Sequence, residues 1–423
     1  MLRRIQFMLL GVALLIAAFS TGAEFLFFLL YLGIVVVGGS YVVTRFGLAD
    51  LEAGYVLDRA HAEVGDTLRA TYTVRNVSRL PKLWLEVHNP SNLPVPLPGR
   101  ALALGPRAER SWVARVPLQR RGHYRVEQVV IRTGDPFGFF ESYASVGRAS
   151  SVIVYPRVES LPGWALPPAQ IEGSHAQSVR TAQTTPHVTS IRPYVPGDAY
   201  NRIHWKSSAR QGELQVKEFD LEQTADVWIF LDLEAQSHTG NGDESTLEYA
   251  VRAAASIGSR SLIENRALGM TAVGARAVVL PPDRGPRQQQ KMMQLLAAVQ
   301  ADGERQFRDV LVESIPRLRR GMTAVVITSS TDRDWIRPLT ALRSRGVTTA
   351  VVMPDAAAFR AHERLVRGLP AASDSEQEAE QRTTRALHHA LAEHDIPASR
   401  LVPGVVLSEQ LVSRSTQPAA VRP

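Results

Sequence analysis

The chain has 423 residues, enough for two or three domains that each bury a core. It contains no cysteine, which excludes disulfides, thiol nucleophiles and cysteine-ligated zinc. Its 48 basic and 41 acidic residues are interspersed, so the net charge of +7 and the pI of about 9.8 describe an arginine-rich solvated surface and not a nucleic-acid-binding tract.

Two apolar runs open the chain, Phe7 to Phe19 and, apart from Ser40, Phe25 to Val43, with Ser20-Thr21-Gly22-Ala23-Glu24 between them. The second run is long enough for a membrane helix; the first is short unless it extends to Ala23 or Arg3 and Arg4 snorkel. A signal peptide fits Met1 to Arg4 plus one apolar core, but here a second apolar run follows at once. Arg3, Arg4 and Arg45 flank the pair, whereas the turn holds only Glu24. By the positive-inside rule, residues 1–45 form a transmembrane helical hairpin in the inner (plasma) membrane, with the rest of the chain cytoplasmic.

From residue 51 to residue 158 short alternating segments are separated by turn residues. Thr67 to Val74, Leu83 to Val87, Arg110 to Val116, Gly122 to Val126, Val129 to Ile131 and Ser151 to Tyr155 read as strands of an antiparallel, immunoglobulin-like β-sandwich. Residues 159–222 are a linker and a segment dense in chemistry. Residues 223–410 change period: apolar strands at Asp226–Asp232, Met270–Val273, Ala277–Leu280, Thr323–Thr328 and Val347–Met353 alternate with amphipathic helices. The helices fall near Leu247–Leu262, Gln288–Gln300, Phe307–Ile315, Trp335–Arg345 and Glu378–Glu393. Ser245 and Glu248 mark a helix start, Ala371 to Gln377 reads as a polar loop, and 411–423 as a disordered tail. The expected architecture is therefore multidomain: membrane hairpin, β-sandwich and doubly wound α/β domain.

Ligands of such α/β domains sit at the carboxyl ends of the strands. The loop after Asp232 has neither the lysine of a phosphate loop nor three spaced glycines, which argues against a nucleotide. Asp232, Glu234 and Asp243 are oxygen ligands on offer to magnesium or calcium, though strand-end carboxylates also serve as caps; of these Asp232 is the metal candidate. His204 with Ser207 or Ser208 and Asp198 lacks the Gly-x-Ser-x-Gly elbow of a hydrolase. No complete catalytic constellation is present.

The segment Pro196 to Arg210 reads as a turn at Pro196-Gly197, a cap at Asp198, and a helix from Ala199 with Arg202, Lys206 and Arg210 on one basic stripe, stopped by Gly212. Trp205 is expected to be buried between the two soluble domains. The stripe serves either as an internal clasp against Glu218, Asp220 and Glu222 or as a docking face for a partner.

Arg192-Pro193-Tyr194-x-Pro196-Gly197-Asp198, then Arg202-x-x-Trp205-Lys206-x-x-Ala209-Arg210 and Leu214-x-Val216-Lys217-Glu218-Phe219, resembles the signature of the domain-of-unknown-function family 58. Asp135 to Phe140 and Val154-Tyr155-Pro156 resemble the middle region of those bacterial and archaeal proteins. The resemblance implies a C-terminal domain similar to von Willebrand factor type A and partnership with MoxR-type AAA+ ATPases in complex assembly. The cation motif of such domains, Asp-x-Ser-x-Ser, is met only at Asp232, because Glu234 and Gln236 replace both serines. The leading expectation is a membrane-anchored interaction or assembly factor without catalysis of its own. The alternative is a metal-dependent hydrolase built on the carboxylates near Asp232.

Overall fold

Two helices open the chain, α1 (Leu2–Thr21) and α2 (Glu24–Gly47), in a computed structural model that describes residues 2–164, 188–195, 200, 203–219 and 226–411. They pack on each other, Phe19 and Phe27 meeting edge to face at 5.4 Å. Among the described residues α2 alone is long and apolar enough to cross a membrane; the apolar part of α1, Leu9–Thr21, is shorter. The chain divides into two compact units, Met1–Val158 with Met293–Val299, and Glu159–Met292 with Gln300–Pro423.

Unit 1 carries ten strands: β1 (Leu51–Leu57), β2 (His61–Glu63), β3 (Thr67–Asn76), β4 (Lys82–His88), β5 (Arg100–Leu104), β6 (Glu109–Pro117), β7 (Gly122–Val126), β8 (Val129–Gly134), β9 (Glu141–Val146) and β10 (Ser150–Tyr155). They form three sheets, ordered β1-β3-β6, β2-β10-β7 and β5-β4-β8-β9. Every pairing is antiparallel except β2 with β10. Strict alternation puts Leu68, Ala70, Tyr72 and Val74 of β3 inside, where they join Val116 of the neighbouring β6 and Leu85, Ile131 and Val154 from the other sheets in one core. The last turns of α2 belong to this unit. Ser40, Thr44 and Gly47 are buried on one face, and a Cβ on Gly47 would lie 2.8 Å from Thr133 Cγ2. The buried ammonium of Lys82 donates to the Phe46 carbonyl at 2.6 Å, adding a charged donor to a helix-end carbonyl that also accepts the Ala49 amide at 3.3 Å.

Unit 2 begins with a two-stranded sheet, β11 (Val188–Pro193) and β12 (Gln215–Phe219), enclosing α3 (Trp205–Gln211). There follow β13 (Val227–Asp232), α4 (Thr246–Ile263), β14 (Leu268–Val273), β15 (Ala277–Asp283), α5 (Pro286–Ala298), whose residues from Met293 are counted with unit 1, and α6 (Phe307–Ser314). The chain continues through β16 (Thr323–Ile327), α7 (Ile336–Ser344), β17 (Thr348–Pro354), α8 (Ala356–Val366), α9 (Asp374–Glu393), β18 (Ala398–Leu401) and α10 (Leu407–Gln410). The main sheet is ordered β15-β14-β13-β16-β17-β18, parallel throughout except for β15. Every residue of β13 is buried, as a parallel strand covered on both faces must be. Trp228 and Phe230 pack with Phe307, Leu339 and Leu391 from α6, α7 and α9, while α4 lies along β13 and β17.

Residues 374–377, read as loop from the sequence, are the first turn of α9. Ser373 accepts from the Glu376 amide and Glu376 reaches back to the Ser373 amide, a reciprocal cap that polar composition alone conceals. At the antiparallel edge the β14–β15 register shifts opposite Gly269, and β15 runs into Pro281-Pro282. The buried Gln288 amide donates to Leu268 O at 2.6 Å and Pro281 O at 2.8 Å, filling the gap that the shift leaves in the ladder. Of the tail expected at 411–423, Leu411 is instead buried at the end of α10, and residues 412–423 lie outside the described residues.

Candidate functional site

The strand order reverses between β13 and β16, so the carboxyl ends of these two central strands flank the switch point where doubly wound sheets place ligands. Asp232 ends β13 and Thr328 follows β16. Thr328 Oγ1 donates to Asp232 Oδ2 at 2.6 Å, and the Glu234 amide donates to Oδ1 at 2.9 Å. Asp232 is 1% exposed. Burial pushes its pKa above the ordinary carboxylate value, and the bonds from Thr328 and Glu234 and the His238 ring only partly offset this.

Above this knot lies a polar cleft of ≈ 300 Å³, lined in part by Glu234, Ser237, His238, Arg308, Ser329 and Arg360. His238 Nε2 is 2.9 Å from the Asp232 backbone carbonyl, so this nitrogen carries the hydrogen, and Nδ1 faces Thr246 Oγ1 at 3.2 Å and Ser329 Oγ at 3.3 Å. Ser329 spends its own hydrogen on the Ser237 carbonyl at 2.5 Å. The trio is therefore a loop fastener and not a nucleophile with its base: the imidazole is oriented by a backbone carbonyl, and the serine proton points away from it. Glu234 Oε2 accepts the Phe307 amide at the start of α6, and burial, the larger cause, raises its pKa while that bond lowers it.

The carboxylates expected to offer a cation site do not converge. Asp232 turns inward and is filled by donors, Glu234 caps α6, and Asp243 sits in the single turn Gly242–Glu244 before α4. Among the described residues no group of three or more His, Asp or Glu side chains is arranged to hold a metal ion.

The signature segment is a separate construction. Arg192 pairs with Val216 and Pro193 with Gln215 across β11 and β12; the Tyr194 amide donates to Leu214 O at 2.8 Å. Pro196, Gly197, Asp198 and Arg202 lie outside the described residues, as does the acidic pair Asp220 and Glu222. The expected helix start at Ala199 lies outside the described residues; α3 starts at Trp205, because the His204 amide is engaged by Gln215 O at 2.8 Å and Ile203 bridges Val216, which ties both residues to β12. His204 is the cap: its Nδ1 accepts the Ser207 amide at 3.2 Å and lies 2.8 Å from Ser207 Oγ. The basic stripe on α3 is thus Lys206 and Arg210 without Arg202. Gly212 closes the helix at φ 71, in the left-handed region, as the sequence led us to expect.

Trp205 is 67% exposed, which overturns its expected burial. The buried member of α3 is Ser208, whose hydroxyl donates to His204 O and accepts the Gln215 amide at 2.9 Å, stitching helix to strand. Trp205, at the first position of α3, stays in solvent. Tyr200 is also exposed, with its ring stacked 6.1 Å from Tyr194, and Lys206 and Arg210 are open to solvent. Lys217 continues β12, paired with Ile191. Sequence reasoning missed His204 as the cap and His238 as the loop anchor; the signal for the first was the serine three residues after it.

Residues 190–394 match the family described as Protein of unknown function DUF58. The chain is 24% identical over 324 residues to the uncharacterized protein YeaD of Bacillus subtilis (strain 168), covering 74% of this chain and 76% of that protein. It is 27% identical over 169 residues to an uncharacterized protein of Mycobacterium tuberculosis (strain ATCC 25618 / H37Rv), covering 39% of this chain and about half, 53%, of that relative. Among solved structures, the CARDB domain of PF1109 from Pyrococcus furiosus superposes on 25% of this chain and 94% of its own at 16% identity and a TM-score of 0.19, too loosely to assign a fold. From β11 to the end of α9, the chain is similar to proteins of the DUF58 family.

Proposed function

We propose that this chain is a membrane-anchored interaction protein and a member of the DUF58 family. An N-terminal hairpin holds two cytoplasmic units: an immunoglobulin-like β-sandwich and a von Willebrand A-like domain. The signature segment is its capture face, and the partner class to which the family resemblance points is a MoxR-type AAA+ ATPase. The observation that carries this reading is the exposure of Trp205 beside Lys206, with Tyr200 exposed on the same short segment. Large aromatics next to basic side chains are the anchor type of protein interfaces, and here they stand on a helix fastened through Ser208 and His204. An internal clasp would have buried Trp205. The sheet order and the switch-point location support the von Willebrand A-like assignment, and the single core shared by three sheets supports the sandwich.

The test is a photo-crosslinking residue placed at position 205 of the full chain in its native membrane, with the exposed Val56 as control position. An adduct with an AAA+ ATPase at 205 and none at 56 is the expected result. Identical adducts at both positions, or none at 205, would sink the capture-face reading.

A further inference from the structure

The turn joining β8 to β9, Asp135-Pro136-Phe137-Gly138-Phe139-Phe140, is built to hold aromatic rings outside the core of unit 1. The Asp135 carboxylate is buried and accepts the Phe137 amide at 2.9 Å and the Phe140 amide at 2.6 Å. The Asp135 backbone pairs with Phe140 O, its carbonyl accepts the Gly138 amide, and Gly138 takes φ 76, a left-handed conformation that a side chain would strain. Fixed in this way, Phe137 remains 60% exposed, with Phe139 against it at 5.8 Å. Water gives no reason to hold a phenylalanine so rigidly in the open.

The position of the turn supplies the reason. Phe140 meets Tyr41 of α2 edge to face at 5.7 Å. Tyr41 precedes Arg45 by four residues, so this contact lies about 6 Å along the helix on the apolar side of that charge. The apolar run from Phe25 to Val43 measures roughly 28 Å at 1.5 Å per residue, which fills a bilayer's hydrocarbon core and leaves Tyr41 at its boundary. The turn is held at that height, because α2 packs on β4, β8 and β9 and Lys82 clamps the Phe46 carbonyl. Phe46 (50% exposed) and Trp84 (40% exposed), the latter 3.3 Å from the Cβ position of Gly134, extend the same collar. Aromatic rings gather at this level where protein meets headgroups.

We propose that the Asp135–Phe140 turn is a membrane foot: Phe137 and Phe139 insert into the lipid interface beside α2 and fix unit 1 against the bilayer. The occupant of this apolar surface is lipid. The inference rests on α2 crossing the membrane, and the experiment separates the two. Because the chain has no cysteine, single spin labels can be placed at Phe137→Cys, Leu32→Cys and Val56→Cys in the full chain, reconstituted in vesicles of phosphatidylcholine and phosphatidylglycerol. Collision with oxygen, which partitions into lipid, is compared with collision with a water-soluble nickel chelate. Positions 137 and 32 should favour oxygen several-fold over position 56. If 32 favours oxygen but 137 matches 56, the foot is wrong and the anchor stands. If 32 also matches 56, both are wrong. A second variant, Phe137→Ser with the spin label at Tyr143→Cys on the neighbouring strand, should lose lipid contact at 143 relative to unsubstituted Phe137; no change at 143 overturns the insertion.

Discussion

Thr328 donates its hydroxyl hydrogen to the buried carboxylate of Asp232 across 2.6 Å, joining the carboxyl ends of the two central strands β13 and β16. The bond spans the place where the chain reverses its winding direction, and the Ser330 amide rests on the same hydroxyl at 2.9 Å. Thr328→Val keeps the shape and removes the donor. It should cost roughly 1–3 kcal/mol, the usual penalty for leaving a buried polar group short of a partner. Urea titration of the full chain in detergent, followed by tryptophan fluorescence, measures this. Magnesium or calcium should leave the wild-type midpoint unmoved; a rise that Asp232→Ala abolishes would restore the metal-dependent reading.

Two buried carboxylates should respond to pH with opposite sign. At Asp135 burial raises the pKa, but the amides of Phe140, Phe139 and Phe137 together pull it below the ordinary value. Its contribution to stability is therefore present above about pH 4 and is lost as the pH falls through its folded pKa. At Asp232 burial keeps the folded pKa above the unfolded one, so the folded state binds the proton more tightly and stability declines as the pH rises from about 4 through the folded pKa. Asp135→Asn should flatten the acid limb of a stability–pH curve, and Asp232→Asn the limb above it. Equal effects of both substitutions on one limb would contradict this assignment.

Trp205→Ala should change the unfolding midpoint by less than about 0.5 kcal/mol, as exposed substitutions do, and not by the several kcal/mol lost when a buried tryptophan is removed. Ser208→Ala should cost more, because the Gln215 amide then loses its acceptor. Thermal melts of the two variants side by side give the ranking, and the reverse order would return Trp205 to the core.

Lys82 is the only side chain among the described hydrogen bonds that reaches the Phe46 carbonyl. Burial lowers its pKa, opposed by Asp50, so the ammonium is held at some cost for the sake of that contact. Lys82→Ala should cost roughly 1–3 kcal/mol and free the end of α2. Faster trypsin cleavage at Arg45, with the remainder of the digest unchanged, is the expected reading; an unaltered rate would mean that the helix end is held by packing alone.

How much of this was legible in the sequence follows the physics of each element. Interior strands such as β3 and β13 announce themselves, because alternation or unbroken apolarity is forced by burial. The strands of unit 1 that escaped notice, β1, β2, β5 and β9, all lie at sheet edges, where half the ladder is solvated and the pattern relaxes. The α8 helix (Ala356–Val366) was missed although it is amphipathic; its buried side rests on Ala356 and Phe359 alone. At the signature segment Gly212 was readable from its chemistry alone. The fate of Trp205 was not: average burial of tryptophan is a statistic, whereas Ser208 and Gln215 decide which side of α3 faces inward.

The edges of the large sheet carry a consequence for how copies of this chain share a surface. On one side β15 runs through Pro281-Pro282, neither of which has an amide hydrogen to donate; on the other, β18 is only 4 residues long. Both features disfavour addition of a further strand. Wherever copies of this chain meet at high local concentration, such blunted borders disfavour fibril growth and leave association to side-chain surfaces.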